Sequence, residues 1–139
     1  MEHMRKALTI IVGLLALLVI GSCTEDTPRS VAEKSMQYLK DKEFGKYVDL
    51  VYFEEEVTGE KELLKDKKDS MRDLIQTKYN ASVEENGNIK DFSFIDEEVK
   101  DSTALVRLQV NYTSGKSDTQ KVDLRKTPNG DWRIYFKVK

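Results

Sequence analysis

Cysteine and histidine are almost missing from this chain: among 139 residues there is one of each, Cys23 and His3. Proline occurs twice and tryptophan once. Neither charge dominates, since 23 Lys and Arg meet 25 Asp and Glu, for a formal net charge of −2. Each shortage removes a class of function. A lone thiol cannot close a disulfide within the chain. Without an excess of positive charge there is no electrostatic footprint for nucleic acid. No apolar run reaches the roughly 20 residues of a spanning helix. What remains is enough for a core: 39% of the residues are hydrophobic, too many for a disordered chain. The length suits one domain.

The N-terminus reads as an address. Arg5 and Lys6 make a short basic region, and Ala7 to Ile20 is a 14-residue run broken only by Thr9 and Gly13. Small residues and Cys23 follow. A basic start, a short apolar centre and small residues before a cleavage point form a secretory signal. The segment Ile20-Gly21-Ser22-Cys23 resembles the lipobox of bacterial lipoproteins. That resemblance implies cleavage between Ser22 and Cys23 and a thioether from Cys23 to diacylglycerol. It also implies a firm tether, because two or more acyl chains anchor stably where one does not. The expected division is a lipoprotein signal peptide over 1–22, lipidated Cys and linker over 23–27, and a folded domain over 28–139.

Cleavage would leave 117 residues and remove His3, the only histidine. Catalysis by Ser-His-Asp or Cys-His is then excluded. So are zinc sites built on His and Cys. Thr24-Glu25-Asp26 resembles the surface-export signal of Bacteroidetes lipoproteins and reads equally as a solvated acidic linker.

Helical patterns fill the first half of the folded part. Thr27 suits an N-cap and Pro28 the first helical position. Ala32, Met36 and Leu39 recur at helical spacing, with Val31, Ser35 and Tyr38 beside them. This helix is expected to run to about Lys42, with Gly45 breaking or kinking it. A second short stretch from Tyr47 should end near Phe53. Glu54 to Glu60 reads as a polar connection. From Lys61, Leu63, Leu64, Met71, Leu74, Ile75, Tyr79 and Val83 mark one broad helical face. Glu85-Asn86-Gly87-Asn88 ends it with turn chemistry.

The second half alternates with period two. Phe92 and Phe94 are in step while Ile95 and Val99 fall out, which predicts a bulge or a strand end. Ala104, Val106, Leu108, Val110 and Tyr112 make the clearest strand. Ser114-Gly115-Lys116 turns it into Val122 and Leu124. Pro128-Asn129-Gly130-Asp131 turns again into Trp132, Ile134, Phe136 and Val138. The expected class is α+β: N-terminal helices packed on a curved antiparallel sheet of about four strands, after the signal peptide. The economical packing wraps that sheet around the long helix.

Three stretches carry a family likeness: Tyr38-Leu39 through Lys46-Tyr47, Asp101 through Val106, and Asn129 through Ile134. Their order resembles the nuclear transport factor 2-like (cystatin-like) superfamily. Within it, the chain looks like small Bacteroidetes lipoproteins with a domain of unknown function. The resemblance implies a cone-shaped fold and assigns no activity.

Candidate sites are few. Cys23 is the lipidation site and Ser22–Cys23 the cleavage point. Tyr112 is the one polar-tipped residue in step with the core face; a tyrosine at a strand end commonly keeps its hydroxyl in water. Asp123 falls on the opposite face. Trp132 reads as core. Glu54-Glu55-Glu56 reads as a solvated acidic loop without the pattern of a calcium loop. No catalytic residue, metal or cofactor is expected. The expected function is non-enzymatic binding or interaction in the cell envelope, held by the lipid on Cys23, in the outer membrane or at the cell surface. The expected partners are the membrane and a small apolar ligand or a second copy of the chain, not nucleic acid. Two alternatives stand: a ketosteroid-isomerase-like enzyme, which requires an acidic residue inside the cone, and a structural envelope protein.

Overall fold

The computed structural model of the protein describes residues 26–136. Ser22, Cys23 and Val138 lie outside the described residues. Four helices precede four strands: α1 (Pro28–Lys40), α2 (Phe44–Val48), α3 (Glu54–Thr58), α4 (Lys61–Asn86), β1 (Ile89–Val99), β2 (Thr103–Tyr112), β3 (Ser117–Lys126) and β4 (Trp132–Ile134).

Helix α1 starts where the cap chemistry puts it. The Ser30 backbone N–H donates to the Thr27 hydroxyl at 3.1 Å, and the Thr27 N–H donates to the Ser30 hydroxyl at 2.9 Å. These reciprocal bonds satisfy two donors that a helix start leaves orphaned. The buried stripe is Val31, Ala32, Ser35 and Met36. Ser35 keeps its hydroxyl satisfied by donating to the Ala32 carbonyl at 2.6 Å.

The break after α1 differs from the expectation. The helix ends at Lys40, and Lys42 takes a left-handed conformation with φ 58. Gly45 is neither break nor kink, for it sits inside α2. The stretch after Tyr47 is not helical to Phe53 either. Val51 forms a parallel bridge to Ile134. The Tyr52 N–H donates to the Ile134 carbonyl at 2.8 Å and the Ile134 N–H donates to Leu50 at 2.7 Å. The open edge of β4 needs backbone partners, and that demand outweighs a weak local helical pattern.

The sheet is an antiparallel meander in the order β1-β2-β3-β4. In β1, Phe94 faces Leu108 while Asp96 faces Arg107, so Ile95 is the extra residue of a bulge. Ala104, Val106, Leu108, Val110 and Tyr112 are all buried, as are Val122, Leu124, Trp132 and Ile134. The alternation in the sequence therefore maps onto one covered face. Phe136, in step with them, is exposed.

The sheet does not wrap the long helix. It packs on α1, which meets β1, β2 and β4, whereas α4 packs chiefly on α2 and α3. The reason lies in the two faces. Ala32 and Ser35 let α1 approach the strands closely, while α4 fully buries only Tyr79. Leu63 and Leu74, expected on its inner face, stay exposed. At its end Gly87, with φ 89, turns the chain into β1. Asn88 ties that corner to the β2–β3 hairpin, accepting from the Thr113 N–H at 2.8 Å and donating to the Thr113 hydroxyl at 3.0 Å.

Candidate functional site

The helices and the sheet do not close completely on one another. A cavity of about 230 Å³ remains between them. Met36 and Leu39 of α1, Ile75 of α4, and Ile89 and Val110 of the sheet form its apolar wall. Tyr47, Tyr79, Tyr112 and Gln120 bring polar tips, and Lys78 and Ser82 stand on its α4 side. A dry cavity of about 150 Å³ takes benzene in another protein, so a hollow of this volume has room for a small organic molecule.

The tyrosines are the site's chemistry. Burial pushes the Tyr47 hydroxyl up to about 12. Burial also raises Tyr79, opposed in part by the backbone of Ile89. Tyr112 is raised first by burial and then by the charge of Asp118, with the Gln120 side chain acting against both. All three therefore stay neutral hydrogen-bond donors at neutral pH. The Tyr79 hydroxyl is buried and makes no hydrogen bond of full geometry, with the Ile89 backbone as a polar neighbour. Its ring is fixed by Phe44, 5.5 Å away at 60°. No carboxylate lines the cavity.

The structure sorts the residues singled out by sequence. Tyr112 is buried as a residue and lines the cavity beside Tyr79 and Gln120. Asp123 lies on the opposite face of β3 from Val122 and Leu124, as the phase requires. Trp132 is core. The acidic run is not a solvated loop. It forms α3, and Glu55 is buried against α4, where Lys67 donates to it at 2.6 Å. That hydrogen bond is the main reason its carboxyl titrates below the usual range. Glu56 pairs with Arg133 at 3.3 Å. Among the described residues no cluster of His, Cys, Asp or Glu is placed to hold a metal ion. Tyr47, Tyr79 and Gln120 escaped sequence reasoning. Tyr79 was visible only as one apolar position four after Ile75, and Gln120 only as a residue at the turn end of β3.

Comparison with known proteins agrees with the fold. The model of the family DUF4878, a domain of unknown function, matches residues 21–135. No curated protein is significantly similar. A crystal structure from Campylobacter jejuni, provisionally named an NTF2-like transpeptidase, superposes with a TM-score of 0.62 at 16% identity. It covers 81% of this chain and 100% of that one. The solution structure of a SEC-C motif containing protein from Rhodopseudomonas palustris gives a TM-score of 0.51 at 15% identity, covering 79% and 76%. At such identities the likeness is one of fold.

Proposed function

The chain belongs to the DUF4878 family of domains of unknown function and has an NTF2-like fold, and from that premise we propose that it is a cell-envelope lipoprotein whose domain binds a small, largely apolar ligand without chemistry. The observation that carries this reading is the cavity under the sheet. Its wall is apolar, its polar tips are tyrosine hydroxyls and one amide, and the buried Tyr79 hydroxyl makes no hydrogen bond of full geometry. Such a site orients a ligand through a few polar contacts and holds it by burial. The ketosteroid-isomerase-like alternative needs a base beside the ligand. No carboxylate or histidine lines the cavity, and Lys78 is exposed on α4. The structural-protein alternative leaves the hollow without a purpose.

The anchor is part of the same proposal. The Ile20-Gly21-Ser22-Cys23 pattern supports acylation of Cys23, cleavage after Ser22 and an outer-membrane or surface location. Native mass spectrometry of the acylated protein, released gently from its own membrane, tests both halves. The proposal expects a mature mass carrying acyl chains and a co-purifying small molecule lost at higher collision energy. An unacylated mass removes the anchor. A bare protein with no added mass, even after incubation with an extract of its host, removes the ligand.

A further inference from the structure

A second hollow lies at the other end of the sheet, apart from the cavity just described. It holds about 570 Å³, within the range of small-molecule sites. Its apolar side is Met71 and Leu74 of α4 together with Phe136 after β4. Tyr52 and Tyr135 meet there edge to face, 5.9 Å apart at 77°. The guanidinium of Arg125, from β3, lies 3.8 Å from the Tyr135 ring centre and 5.6 Å from that of Tyr52.

Arg125 stands apart from the other arginines of the described residues. Arg29 holds Glu33, Arg72 holds Asp69, Arg107 holds Asp96 and Glu98, and Arg133 holds Glu56 and Asp131. Arg125 has tyrosine faces, with Glu98 and Asp123 lining a hollow beside it, and no ion pair to a carboxylate is seen for it among the described residues. It also sits directly across the ladder from Arg133, a like-charge pairing that destabilises a sheet. Glu56 and Asp131 relieve Arg133; among the described residues no ion pair to Arg125 is seen. Stacking fixes the guanidinium plane and leaves its N–H edge to a planar acceptor. Of the acidic residues lining the hollow, Glu55 is taken by Lys67. Glu54 and Asp66 are exposed, where solvent and salt screen them.

We propose that this groove binds a small amphipathic carboxylate. The carboxylate takes the N–H edge of Arg125, and the apolar body lies along Tyr135, Met71, Leu74 and Phe136. A carboxylate fits better than a point anion because the stacked fork offers two parallel donors.

Three probes with one body and three heads test this: 4-phenylbutyrate, 4-phenylbutyramide and 4-phenylbutylamine. They are titrated calorimetrically into the chain from Thr24 to Lys139, whose buried core, Val31 to Ile134, lies wholly within it. Backbone NMR shifts locate each probe. The acid should bind roughly tenfold tighter than the amide, less so at high salt, with shifts around Tyr52, Met71 and Tyr135. Arg125→Gln should equalise acid and amide. Arg125→Lys should keep charge but lose the planar fork, and restore only part of the preference. Trp132 emission verifies that both variants fold. Equal affinity for acid and amide overturns the proposal, as does a preference that survives Arg125→Gln. Tightest binding of the amine overturns it too, by giving the groove to Glu54 and Asp66. Shifts confined to Ile75, Ile89 and Val110 overturn it as well, while leaving the inner cavity's reading intact.

Discussion

Two identical substitutions, Gly45→Ala and Gly87→Ala, should move stability in opposite directions. Gly87 has φ 89 and ψ 180, a region that side chains avoid at a cost of about 1–3 kcal/mol. A Cβ built there falls 2.5 Å from the Thr113 hydroxyl oxygen and 3.1 Å from the Ser114 backbone nitrogen. The Thr113 side chain has little freedom to retreat, since it accepts from the Asn88 N–H; losing that bond adds about 1 kcal/mol. Gly87→Ala should therefore cost about 2–4 kcal/mol. Gly45 lies inside α2 with nothing within 4 Å of an added Cβ and no positive φ. There, alanine restricts the unfolded chain and suits the helix, a gain of about 0.5–1 kcal/mol. Urea unfolding followed by circular dichroism reads both changes. In thermal melts each kcal/mol is worth about 4–8 °C for a domain near this size. A Gly87→Ala protein within 0.5 kcal/mol of the parent (about the smallest difference such data resolve) refutes the reasoning. So does a Gly45→Ala protein that loses stability, which would restore Gly45 as a helix break.

Other outcomes follow from the same geometry. Leu108 is fully buried, so Leu108→Ala should cost about 2–5 kcal/mol in the same assay. Tyr47 titrates near 12, raised from 10.0. The unfolded chain sheds that proton first, so stability present below pH 10 should fall as pH rises from 10 towards 12; ultraviolet titration should show a tyrosine ionising near 12 that is missing in Tyr47→Phe. Glu55 titrates low because Lys67 bonds it. Its contribution is present above the ordinary carboxyl value of 4.5 and is lost as pH falls through the lower folded value. Lys67→Met should therefore flatten the acid limb of the stability curve. Cys23→Ser should abolish incorporation of a clickable fatty acid and release the protein from membranes.

The strands were legible because a half-covered sheet writes its burial in period two. Ala104 to Tyr112 alternate without a fault, and even the bulge at Ile95 showed as a slip of phase. The helices were less so. Apolar spacing along α4 suggested a broad buried face, yet which helix the sheet covers depends on how closely backbones approach. The small residues of α1 decide that. The pairing of Leu50–Tyr52 with Ile134 joins segments far apart in the chain, beyond the reach of any local pattern. The cavity was hidden for a related reason. Tyr47, Tyr79 and Tyr112 each read as one core position, and a void exists only once α1, α2, α4 and three strands set their volumes against one another. The same holds for Arg125, whose tyrosine stacking emerges only when the other arginines of the described residues are seen paired with carboxylates.

The claim that the inner cavity is a binding site is tested most directly by methyl NMR. The chain carries labelled Ile, Val and Met methyls and is titrated with an organic extract of its host. The account predicts shifts at Met36, Ile75, Ile89 and Val110, which line the cavity, with Val31 and Val122 unmoved. A spectrum that stays unchanged at every extract concentration, or one that moves only away from those four residues, contradicts it.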